Sequence, residues 1–116
     1  MTNIVLVSKD FQRDAKHLLK KFHTLRNSID NLIADLTANP YLGDPYGNKL
    51  YKVRLSDKSK GGGKSGGFRV IYYHFNITDT GIEILLLTIF DKSELSTMTK
   101  PEVIDKLNKI LGGIDL

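Results

Sequence analysis

Between Lys52 and Arg69 the chain carries six basic residues, Lys52, Arg54, Lys58, Lys60, Lys64 and Arg69, against a single acid, Asp57. That is a local charge of +5 in a chain whose net charge is +4, so the remainder sums to −1. Charge placed in this way marks a face for an anion, and a polyanion such as RNA is the first candidate. Lys52 and Arg54 are two apart in a strand-like run, so their side chains leave the same face; Arg69 and Tyr73 share a face of the next run. If the two runs pair, the sets converge on one surface able to hold an RNA phosphate and stabilise a pentavalent oxyanion. Neighbouring positive charges depress a lysine pKa, which supplies a general base or acid without histidine. Tyr72 or Tyr73 can stack on a base. The bland alternative is a basic hairpin that stays in water, because charge runs are usually solvated faces.

Other chemistries fit poorly. Gly63-Lys64-Ser65 looks like the end of a phosphate-binding P-loop, but the first glycine would fall at Lys58. A P-loop must also open a helix, whereas Phe68 onward reads as a strand. The three histidines, His17, His23 and His74, show no metal-ligand spacing, and no metal site is expected. His17 and His23 fall on a polar helical segment and are expected at the surface. His74 shares strand parity with Phe68, Val70 and Tyr72, which favours sheet packing over acid–base work. There are only three glutamates, none in a strand-end pair suited to two-carboxylate chemistry. Cysteine is absent, which removes disulfides and thiolate nucleophiles and fits a reducing cytosol.

The elements that must position these residues are legible from periodicity. Ile4 to Val7 can pair as a strand. Phe11, Ala15, Leu18, Leu19 and Phe22 recur at helical spacing after Asp10, and Leu25, Ile29, Leu32, Ile33 and Leu36 repeat the pattern until Asn39-Pro40 stops it. Residues 40–48, with two prolines and two glycines, read as a loop. Leu50 to Leu55 alternates, Phe68 to Phe75 is aromatic and β-branched, and Ile82 to Phe90 is almost wholly apolar, with Asp79 and Gly81 at the intervening turn. Thr99, Pro101 and Glu102 open a last helix as a capping box, and Gly112-Gly113 closes it. The expectation is one α+β domain over residues 1–116. It has two N-terminal helices, an antiparallel meander of three to four strands and a C-terminal helix. The longest unbroken apolar run, Ile84 to Leu87, is far below a membrane span, and the N-terminus is unlike a signal peptide, so a cytoplasmic protein is expected.

The string Lys64-Ser-Gly-Gly-Phe-Arg-Val-Ile-Tyr-Tyr73, preceded by Leu50-Tyr51-Lys52-Val53-Arg54, resembles the core of RelE/HigB-type toxins of type II toxin–antitoxin modules. Leu86 to Glu94 is similar to the last strand and turn of the HigB branch, as is Asn39-Pro40-x-x-Gly43 after two helices. The resemblance spans about residues 8 to 110. It implies a RelE-like fold within the RelE/ParE superfamily and a ribosome-dependent, metal-independent and cofactor-free endoribonuclease. Such an mRNA interferase cuts mRNA by 2′-hydroxyl attack on the adjacent phosphate and inhibits translation. Carried over by position, it implies catalytic roles for Lys52, Arg54, Arg69 and Lys92, with Arg69 as phosphate clamp. RNA contacts fall to Lys58, Lys60, Lys64 and Tyr73. The implied partners are mRNA on the ribosome and a cognate antitoxin, a HigA-like helix-turn-helix protein, with no membrane. The chain departs from RelE itself at Ser93, where an arginine is usual, and in Ser96 to Thr99, which holds no tyrosine, so the general base and acid stay open. Two other functions remain beside cleavage: a ParE-like toxin that poisons gyrase, and a non-catalytic RNA- or ribosome-binding module.

Overall fold

A computed structural model describes residues 2–60, 67–93 and 98–112 of the chain. The elements run β1 (Ile4–Val7), α1 (Lys9–Leu19), α2 (Leu25–Ala38), β2 (Asp44–Pro45), β3 (Leu50–Leu55), a 3-10 turn (Lys58–Lys60), β4 (Phe68–Thr78), β5 (Gly81–Asp91) and α3 (Lys100–Gly112). They form one five-stranded sheet in the order β1-β5-β4-β3-β2. The α+β class stands, with β3, β4 and β5 as the expected meander. Two features extend the reading from sequence. The loop at 40–48 contributes the two-residue strand β2, and β1 pairs in parallel with β5, Ile4 opposite Glu83 and Val7 opposite Leu86. The sheet is therefore mixed, because a strand that precedes two helices returns to the far edge of the meander.

The period-two alternation of β3 and β4 divides the core into two layers. Phe68, Val70 and Tyr72 face α1 and α2 together with Leu55, Ile84, Leu86 and Ile89. Leu50, Ile71, Leu85, Leu87 and Phe90 lie on the other face, under Val103 and Leu107 of α3. Each fully buried leucine, isoleucine or phenylalanine contributes about 1.5–3 kcal/mol over its exposed state. Both layers are needed, since β4 and β5 are apolar in both parities.

Local signals explain the helix ends. Ser8 is the N-cap of α1: its hydroxyl accepts from the Phe11 amide at 3.0 Å, and Asp10 sits in the first turn, where the helix dipole favours it. Ahead of α3, Thr99 and Glu102 exchange the hydrogen bonds of a capping box, and α3 extends to Gly112, with Gly113 outside the described residues. Asp57 ties the end of β3 to the start of α2 by accepting from the Thr24, Ser28 and Ser59 hydroxyls. Burial alone would raise its pKa, but these donors outweigh it and hold the carboxyl below its ordinary value. Among the described residues no helix is long and apolar enough to cross a membrane.

Candidate functional site

The antiparallel register of β3 and β4 sets Arg54 directly opposite Arg69 and Lys52 opposite Ile71. The next register sets Arg69 opposite Phe90 on β5. Arg54, Arg69 and Phe90 thus form one row across three strands on the α3 side of the sheet, and Lys92 follows two residues beyond Phe90. Two backbone features hold Lys92 there. Its amide donates to the Gly67 carbonyl at 3.1 Å, and Ser93 closes a turn by donating its amide and hydroxyl to Asp91 at 2.9 and 2.8 Å. Gly67 has φ +82° and lies so close to the Leu55 carbonyl that a Cβ would fall 2.9 Å from it, so only glycine lets the chain enter β4 at this point.

The structure thus brings together the four residues expected to do chemistry. Their mutual influence is visible in the lysine: Arg69 first, then partial desolvation, then Arg54 and Lys52, push the Lys92 pKa below its ordinary value. Arg69 differs from a plain sheet-face arginine. It is only 4% exposed, and it donates to the Phe68 carbonyl at 3.1 Å. Burial, and then Arg54, lower its pKa, yet a guanidinium stays charged at any ordinary pH. Like charges set opposite one another in a sheet cost stability. Two guanidinium forks facing one another in this way have the geometry to take a phosphate's oxygens.

The remaining sequence expectations fall elsewhere. Lys58 is exposed on the 3-10 turn and lines a polar groove with Thr24, Asn27 and Ser28 at the start of α2, on the helix-covered side away from the cluster. Lys64 and the side chain of Lys60 lie outside the described residues. Tyr73 shares the face of Arg69 but stands opposite Leu50 and Leu85 and packs against the apolar layer beneath α3. Tyr72 is 0% exposed and cannot stack on a base: its hydroxyl donates to the Pro40 carbonyl and accepts from the Gly43 amide. His74 is buried in the same cluster, 4.3 Å from the Tyr51 ring, with Nε2 donating to Pro40 at 2.8 Å. His17 and His23 are exposed, as their helical positions suggested.

Sequence reasoning missed Phe90 as a neighbour of Arg69, and it missed the stretch of α1 that borders β5 beyond the end of β1. The apolar residues Ile71 and Tyr73, which share parity with Arg69, were the available sign that its face is covered. Nothing local could have placed Arg13 or Asp14 beside Phe90.

Taken together, the fold and the site define a small α+β domain that presents a cationic sheet face beside a C-terminal helix. No family model matches the chain. Among solved structures it superposes on the E. coli toxin RelE, determined in the free state as a double arginine-to-alanine variant, with a TM-score of 0.59 at 15% sequence identity. The match covers 92% of this chain and 99% of that one. The fold is RelE-like.

Proposed function

We propose that this chain is the toxin of a type II toxin–antitoxin pair, of the HigB branch, acting in the cytoplasm as an endoribonuclease on mRNA held by the ribosome. The observation that carries this reading is the convergence of Lys52, Arg54, Arg69 and Lys92 on one sheet face of a RelE-like fold. In the reaction the 2′-hydroxyl gives up its proton and its oxygen bonds to the adjacent phosphorus. The bond from phosphorus to the 5′ oxygen breaks, that oxygen takes up a proton, and a 2′,3′-cyclic phosphate remains. Negative charge peaks on the non-bridging oxygens of the five-coordinate phosphorus, where Arg69 and Arg54 offer preorganised donors. Lys92, whose pKa is lowered first by Arg69 and then by desolvation, Arg54 and Lys52, is the group we assign to proton transfer. Lys52 adds positive potential along the path of the RNA backbone. A helix-turn-helix antitoxin is the expected neutralising partner.

The test is induced expression followed by mapping of 5′ ends on cellular mRNA. Cuts inside translated codons, lost in a Lys52→Ala/Arg54→Ala double variant that still folds, are the expected result. These two side chains are chosen because they are less buried than Arg69. Intact mRNA accompanied by DNA breaks would instead identify a gyrase poison and overturn the proposal.

A further inference from the structure

Strand β1 ends at Val7 opposite Leu86; the Ser8 amide donates to the Leu86 carbonyl at 3.2 Å and its hydroxyl to the Leu87 carbonyl at 3.3 Å. Beyond that point the flank of β5 is bordered by α1 instead of a strand. A helix is about 10 Å across, twice the spacing of paired strands, and it cannot close on β5 as a strand would. The gap is an open groove of about 510 Å³, lined by apolar Leu18, Ile89 and Phe90 and by polar Arg13, Asp14, His17 and Asp91. Its size falls in the range of small-ligand sites. It shares one residue with the row that holds the cation cluster, because Phe90, which lines the groove, is the direct cross-strand partner of Arg69 and Lys92 follows two residues on.

We propose that this groove receives a nucleobase bearing an exocyclic amino group, from the nucleotide next to the phosphate that the four cations hold. The proposal rests on the RNA-cleaving reading above and adds a base preference to it. Phe90, Leu18 and Ile89 supply an apolar surface for the flat face of a base. Asp14 supplies the reading atom. Its Oδ2 accepts from the Thr88 hydroxyl at 2.8 Å and pairs with Lys106 at 3.5 Å, which fixes the carboxylate, while Oδ1 has no partner among the described residues. Such an acceptor takes a hydrogen bond from the amino group of adenine, cytosine or guanine. Uracil has no amino group, and its one edge donor, N3–H, is flanked by two carbonyl oxygens that a carboxylate repels. Arg13, with an exposed side chain held loosely by Asp10 at 3.3 Å, can turn to the phosphate on the far side of that base.

The experiment measures binding of short single-stranded RNAs whose scissile nucleotide is 2′-deoxy, so that no cleavage occurs. The base is varied on either side of that linkage. Wild-type protein should bind adenine, cytosine or guanine about tenfold more tightly than uracil at one of the two positions, the effect of one hydrogen bond to a charged group. Asp14→Asn should shrink the preference to about twofold or less. Lys106→Met, which removes the ion pair but leaves the carboxylate, should retain it. Equal binding of all four bases by wild type overturns the subsite, and so does a preference that Asp14→Asn leaves intact or that Lys106→Met abolishes. Arg54→Ala separates the two levels. If it weakens binding while the bases remain equivalent, only the subsite falls. If it leaves RNA binding unchanged, the cluster is not the RNA site and both readings fall.

Discussion

His74 and Arg69 stand five residues apart on β4, on opposite faces of the sheet, and both are almost wholly buried, at 1% and 4% exposure. The fold treats them differently. His74 sheds its charge: burial first, and Lys49 to a lesser degree, push its pKa down against the opposing pull of the Pro40 carbonyl. The neutral ring then donates to Pro40 and stacks on Tyr51, which itself stacks on Tyr72 at 5.1 Å. Every polar atom named in that cluster does local work, anchoring the loop that leads to Gly43. Arg69 cannot shed its charge, and what lies opposite it is another cation, Arg54. One region meets the cost of burial by shedding charge, while the other keeps two cations facing one another across paired strands.

The largest expected effect breaks the cationic side of this pair. Arg69→Lys keeps the charge and loses the planar fork, and mRNA cleavage in a reconstituted translation reaction should fall by about a hundredfold or more, with little change in the urea midpoint. Near-normal cleavage would place Arg69 with the structural groups. His74→Ala should do the reverse. Loss of the ring stack and the Pro40 bond should cost about 2–4 kcal/mol in urea unfolding while cleavage per folded molecule is retained.

The same histidine predicts a pH signature. Its folded-state pKa lies below the unfolded value of about 6.5, so the unfolded chain binds the proton first. This contribution is fully present above that pH and is lost as pH falls from there through the lower folded-state pKa, and the His74→Ala variant should lack that part of the slope. The smallest effect sharpens the cationic side. Arg54→Ala removes one of the charges that hold the Lys92 pKa down, so the limb of the pH–rate profile set by Lys92 should move to higher pH. A limb that stays in place would take Lys92 out of proton transfer.

Much of this was legible in advance, for a physical reason that differs between elements. The strand from Leu50 to Leu55 was read from alternation alone, and its bounds are those observed. The capping box at Thr99 and the stop before Pro40 follow from side-chain chemistry within one turn of helix. What was misjudged concerns surroundings. Arg69 falls on the expected parity, but its burial to 4% exposure was not written in that parity. Tyr72 had the composition of a stacking residue, and its burial beneath the 40–43 loop was not written in its neighbours.

By itself, then, the sequence determined the charge asymmetry, the parity that sets Lys52 and Arg54 on one face and Arg69 on a matching one, and the helices that flank them. These are local properties, governed by periods of two and 3.6 residues and by caps and breakers a few positions away. Only the tertiary structure decided that β1 would lie parallel to β5, that Arg69 would be buried, that Lys92 would join the cluster from the end of β5, and that α1 would leave a groove beside Phe90. Those outcomes depend on which apolar faces find each other across long stretches of chain, a choice made by the whole core at once.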